Sequence, residues 1–158
     1  MKLVVTLLAV AAATVSAVGA AGTAPSDQRI AITAGPSGTG DEFVLRPLGP
    51  GRVAADSGTT SACCWSDRWV KRDGQEIEIN DPLKTFTGKH GTFSYRARIE
   101  WVDAGNGYSV GTGTWRIVKG TGAYAQLEGG GRLALSWPPA GLASWRAEGL
   151  VHVKGGSE

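Results

Sequence analysis

The chain has 158 residues, of which 42% are hydrophobic and 19% charged; this suits one compact domain and excludes an intrinsically disordered protein. With 16 Lys and Arg against 14 Asp and Glu the net charge is only +2, which gives no basic field to hold nucleic acid. The 24 glycines are about twice the usual share, without a collagen repeat.

Met1 and Lys2 give a minimal positive start, and Leu3 to Ala13 is an apolar run broken only by Thr6. Small residues follow, and no further charge appears before Asp27. This is the layout of a secretory signal peptide, with Val18-Gly19-Ala20 placing the cut after Ala20. A stable membrane anchor would need about 20 strongly apolar residues, and this stretch fades into Ala, Gly and Thr. The expected organisation is a signal peptide over 1–20, a flexible lead-in over 21–40 rich in Gly, Ala, Ser, Thr and Pro, and a β-barrel domain over 41–158. The expected location is extracellular.

Past the leader the apolar period is two. Strands are predicted near 29–33, 42–46, 53–60, 65–72, 75–79, 84–87, 91–103, 108–119, 131–137 and 143–153. The clearest runs from Thr92 to Val102: Phe93, Tyr95, Ala97, Ile99 and Trp101 alternate with Thr92, Ser94, Arg96, Arg98 and Glu100, a half-buried strand. Leu133, Leu135 and Trp137 repeat the pattern, as do Trp145, Ala147, Val151 and Val153. Ile77 and Ile79 stand opposite Glu76 and Glu78. Asp73-Gly74 and Asn106-Gly107 are the dipeptides that a type I′ hairpin turn requires, and Pro82 and Pro138-Pro139 mark further connections. No window of ten residues carries a helical face. The fold class is all-β, a single antiparallel barrel of about eight strands, because closure removes exposed sheet edges. A monomer or a homo-oligomer fits equally well.

Cys63 and Cys64 are adjacent. The simplest reading is two partly buried thiols, since ordinary bridges need Cα atoms about 4.4–6.8 Å apart and neighbouring strand side chains point to opposite faces. A vicinal disulfide or an intermolecular bridge is the alternative in an oxidising compartment. With no CxxC and only two histidines no metal site is expected, and no cofactor.

The segment Gly113–Gly131, GTWRIVKGTGAYAQLEGGG, resembles the repeated signature of small exported bacterial proteins, of actinobacterial type, with an allene-oxide-cyclase-like or dirigent-like barrel. That resemblance implies that the bend at Gly120 and Gly122 ends one strand and packs Tyr124 against the barrel end. It offers no position-by-position match to the lumenal polar residues of the plant enzymes.

Two motifs look sharper than their context allows. Gly120-Thr121-Gly122-Ala123-Tyr124-Ala125 satisfies GxGxxA, but that fingerprint holds a dinucleotide only between a parallel strand and a helix, and Gly129-Gly130-Gly131 would break a helix. Gly107-Tyr108-Ser109-Val110-Gly111 is a literal GxSxG, yet Ser109 opens a strand directly after a hairpin rather than a strand-to-helix elbow. Glu76, Glu78, Glu100 and Asp103 read as solvated strand carboxylates beside Arg96 and Arg98, and His90 and His152 as surface residues.

Six tryptophans, at 65, 69, 101, 115, 137 and 145, are the heaviest signal. An eight-stranded barrel is just wide enough to be filled by side chains or to hold one small ligand. Tyr95, Trp101, Trp115 and Trp145 are expected to face the lumen, either as a plug or as the wall of a site for a small apolar molecule. The leading expectation is a secreted carrier of such a molecule. The alternatives are a barrel isomerase or cyclase, favoured by a charged side chain in the lumen, and a carbohydrate- or partner-binding module, favoured by exposed tryptophans. Intact-mass measurement of the exported protein should place the new N-terminus near Ala21; a retained Met1 would remove the compartment argument.

Overall fold

The alternation read along the chain builds strands that hydrogen-bond edge to edge. The computed structural model describes residues 27–34 and 41–155; the expected signal peptide lies outside them. The strands are β1 (Gln28–Ala34), β2 (Glu42–Pro47), β3 (Asp56–Cys63), β4 (Asp67–Arg72), β5 (Gln75–Asn80), β6 (Leu83–Gly88), β7 (Gly91–Gly105), β8 (Tyr108–Gly120), β9 (Leu127–Trp137) and β10 (Ser144–Val153). Eight of them close an antiparallel barrel in the order β7–β6–β3–β2–β1–β10–β9–β8, with β8 pairing back onto β7.

One boundary needs correction. The expected lead-in over 21–40 contains β1, a full barrel stave paired with both β2 and β10. Its Ile30 and Ile32 are wholly buried. Two inward isoleucines are enough to commit the segment to the core, although small residues surround it in sequence.

β7 is longer than its barrel neighbours and uses one edge twice. Its first half pairs with β6, from Gly91↔Gly88 to Arg96↔Leu83, and its second half pairs with β5 at Ile99↔Asn80 and Trp101↔Glu78. Pro82 separates the two partners. Lacking an N–H it cannot donate to the ladder, although its carbonyl still accepts from Ala97 N at 3.0 Å. The β4–β5 hairpin, turned by Asp73 (φ 52°) and Gly74 (φ 81°), therefore stands beyond the barrel wall on the extension of β7.

Inward side chains fill the lumen. Phe86 and Phe93 stack with centroids 4.7 Å apart, Phe43 meets Phe86 edge-on at 5.2 Å, and Tyr124 meets Phe93 at 5.0 Å. Tyr95 lies 5.5 Å from Trp115 and 6.3 Å from Trp145, and the Trp115 indole N–H donates to the Arg132 carbonyl. Such contacts stabilise beyond the area they bury. Arg96 and Arg98 are exposed on the outer face.

One barrel end is latched. After β8, Gly122 (φ 58°) starts a short 3-10 turn that carries Tyr124 inward. The Tyr124 hydroxyl donates to Asp56 Oδ2 at 2.7 Å, and the same carboxylate accepts the backbone N–H groups of Ser57, Lys89 and His90. Gln28 ties the β2–β3 connection over this end, donating to the carbonyls of Gly49 and Val53 and accepting from Val53 N. Burial alone would raise the Asp56 pKa, but the Tyr124 hydroxyl and three N–H donors outweigh it and hold it below the usual 3.8.

Two predictions follow from this latch. A Cβ on Gly122 would meet the His90 carbonyl oxygen at 2.5 Å, and positive φ disfavours branched residues, so Gly122→Val should lose about 1–3 kcal/mol in urea unfolding. Because the Asp56 pKa is depressed in the fold, its stabilisation is complete above the unfolded-state value and is lost as pH falls through the folded-state value. Asp56→Ala should then cost about 1–3 kcal/mol at pH 7, and the gap from wild type should shrink when unfolding is repeated below pH 3. A gap that stays constant with pH would refute the latch.

Candidate functional site

At the end opposite the latch the strands of the extended wall carry a row of large and polar side chains on one face. Register sets the row: Trp69 on β4 stands opposite Glu78 on β5, Glu78 opposite Trp101 on β7, and Trp101 opposite Gly111 on β8. One step further along, Asp103 stands opposite Ser109, and Ser109 opposite Trp137 on β9. This is the lumenal face of the sheet continued past the rim, where no opposite wall remains to cover it.

The surface between these residues is concave. One depression of about 300 Å³ is lined by Glu78, Asn80, Trp101, Ser109 and Trp137. A second, of about 580 Å³, is lined by Trp69, Gln75, Glu76, Glu78, Trp101 and Asp103, among others. Glu78, Trp101 and Ser109 line both, so the two form one groove with Trp101 as its floor. A Cβ on Gly111 would lie 2.9 Å from the Trp101 ring; glycine there lets the indole rest on β8. Trp69 is 65% exposed and Trp137 55%, which leaves their faces open to a ligand while Trp101 is held against the core.

The polar lining is ready to bond. Asn80 Oδ1 is buried without a hydrogen-bond partner. Asp103 uses Oδ1 to accept the Gly105 N–H in the hairpin turn. Lys71 stands opposite Glu76 in register, and no ion pair of Glu76, Glu78 or Asp103 is found among the described residues. Glu100, on the other face of β7, pairs instead with Arg72 at 3.1 Å.

Of the side chains expected at the lumen, Tyr95, Trp115 and Trp145 are buried together in the barrel, while Trp101 sits half-buried at the rim. Gly120, Gly122 and Tyr124 form the bend and latch. Trp137, which the alternation groups with Leu133 and Leu135, shares their face but projects past the rim. Ser109 lies on β8 with strands on both sides, so no elbow exists, and Gly120–Ala125 leads through one 3-10 turn into β9 rather than into a helix. Glu78, expected as a solvated strand carboxylate, faces two tryptophans. The expectation of two partly buried thiols is corrected: Cys63 and Cys64 are exposed and bonded to each other, with Cys64 at φ 58°. That left-handed turn at the end of β3 removes the strand geometry that would have kept the sulfurs apart. No three His, Cys, Asp or Glu side chains form a metal cage among the described residues.

The groove itself escaped the sequence reading. Its floor and walls come from β4, β5, β7, β8 and β9, and only the register of β5 on β7 brings Trp69 and Glu78 to Trp101. The local signal, a tryptophan and a glutamate of matching parity on the two arms of the Asp73-Gly74 hairpin, was present but pointed to no partner. The chain matches no protein-family model, no curated protein and no solved structure.

Proposed function

We propose that this protein is an exported carbohydrate-binding barrel that holds a glycan in the Trp69–Trp101–Trp137 groove. The observation that carries the reading is the exposure of two tryptophans beside a third, in a concavity whose remaining lining is amide, carboxylate and hydroxyl. Indole faces match the apolar face of a pyranose, and planar carboxylate and amide groups bond its hydroxyls. Large apolar side chains left open at one place mark an interaction surface. The expected leader would deliver the protein to where polysaccharides are met, and the resemblance to exported barrels agrees with that setting.

The lumen supports a carrier of a neutral apolar molecule less well. Its rings touch at centroid distances of 4.7–6.3 Å, so such a ligand would have to displace them.

Retention on insoluble cellulose, chitin and xylan, followed by calorimetry with oligosaccharides of the retained polymer, tests the groove. Trp69→Ala and Trp137→Ala should each weaken binding by about tenfold or more, within the range of a stacked aromatic contact, with melting temperatures unchanged. Absence of retention on every polysaccharide, or wild-type binding by both variants, would reject the reading.

A further inference from the structure

The outer wall of the barrel carries an unbalanced group of arginines where β7, β8 and β9 lie side by side. Register assembles it in two rows. Arg96 on β7 stands opposite Arg116 on β8; in the next row Arg98 stands opposite Thr114, and Thr114 opposite Arg132 on β9. All five residues are exposed. Neighbouring strands lie about 4.8 Å apart and side chains on one face of a strand repeat every ~7 Å, so the four guanidinium stems rise from a patch about 10 Å across.

The carboxylates that could balance them are engaged elsewhere. Glu148, opposite Arg132 on β10, pairs with Arg29 at 2.8 Å and with Arg146 at 2.6 Å. Glu100, on the same face of β7, pairs with Arg72, and Glu128 on β9 pairs with Lys154 at 2.6 Å. Arg96 gives one N–H to a neutral acceptor, the Asp81 carbonyl, at 3.2 Å. Among the described residues no ion pair involves Arg96, Arg98, Arg116 or Arg132. Like charges directly opposite in a ladder destabilise a sheet, and an anion docked from outside relieves that repulsion. The small total charge of +2 conceals the separation, because Glu76, Glu78 and Asp103 lie in the groove on the other face.

We propose that this outer face of β7, β8 and β9 is a docking surface for a linear polyuronate, a polysaccharide bearing a carboxylate on its sugar units. Every basic group in the patch is arginine, whose planar fork bonds a carboxylate bidentately. The Thr114 hydroxyl, between Arg98 and Arg132, bonds a sugar hydroxyl. The adjoining outward positions are Thr112, Gly130 and Ala134, so no aromatic ring stands beside the arginines to stack an exposed base. The wall of a closed barrel is convex: a duplex would touch it along a line, whereas an extended chain follows its curve. The surface lies outside the tryptophan groove and does not depend on the reading of that groove.

Calorimetry of the full chain with calcium-free oligogalacturonates, their methyl esters and a short DNA duplex, all at one low ionic strength, tests the surface. The oligogalacturonates should bind, less tightly as salt rises, the duplex more weakly, and the uncharged esters not at all. Arg98→Gln combined with Arg132→Gln should weaken binding about tenfold or more with the melting temperature unchanged. Arg46→Gln combined with Arg52→Gln removes the same charge, from β2 on the far side of the barrel and from the β2–β3 connection, and should bind as wild type does. Trp69→Ala should also bind as wild type does, which separates this surface from the glycan groove. No binding of oligogalacturonates, equal binding of their esters or of the duplex, or equal weakening by the Arg46 and Arg52 pair would overturn the proposal. So would self-association at low salt that the Arg98 and Arg132 pair abolishes, found without oligogalacturonate binding, since a second copy would then occupy the face.

Discussion

The ladder between β7 and β8, running from Phe93↔Gly120 to Gly105↔Tyr108, joins the first and last staves of an otherwise open sheet. Without it the inner faces of β6 and β9 would confront water. With it they enclose a column of rings whose burial stabilises by roughly 25 cal/mol per Å² of apolar surface. The same ladder outruns the barrel, because β7 has 15 residues and β8 has 13. Closure and overhang thus come from one pair of strands, and the overhang is where β5 docks and where the tryptophan groove lies. The two ends of the molecule differ for this reason: one is sealed by side chains, the other extended by backbone.

Much of the barrel was legible because its signals are local. Alternation of Phe93, Tyr95, Ala97 and Ile99 against arginines reports which face is inside, and Asp73-Gly74 and Asn106-Gly107 report where the chain reverses. The positive φ of Gly122 was equally open to reading from a Gly-Thr-Gly bend. What stayed hidden depends on contacts between distant segments. A strand near 29–33 was legible, but its standing as a barrel stave rather than part of the lead-in shows only in its pairing with β2 and β10. Trp137 has the parity of a core residue, and only the height of the rim decides that it is exposed. Lys84 was passed over because one lysine in a short strand ordinarily faces solvent, although it has the parity of Phe86 and stands opposite Tyr95.

The polar groups inside the barrel divide by how completely they are answered. Asp56 gathers four donors and Gln28 three backbone partners, so both fix chain connections at the sealed end. Thr60 Oγ1, toward the other end, and Asn80 Oδ1, on the β5 extension beyond the wall, are buried with no hydrogen-bond partner. A satisfied buried group rigidifies its surroundings, whereas an unsatisfied one costs free energy until something meets it. This gradient along the barrel axis runs from answered groups at the sealed end to unanswered ones at the other.

Gly111 has a reach beyond its size. The Trp101 indole forms the groove floor only because β8 presents hydrogen instead of a methyl group beneath it. Any side chain at that position lifts the ring and makes the concavity shallower without altering a single residue that a ligand would touch. The depth of the groove is therefore governed from underneath, by the sheet's backing rather than by its lining. The shape of the groove can change through substitutions on β8 while every tryptophan and carboxylate that lines it stays the same.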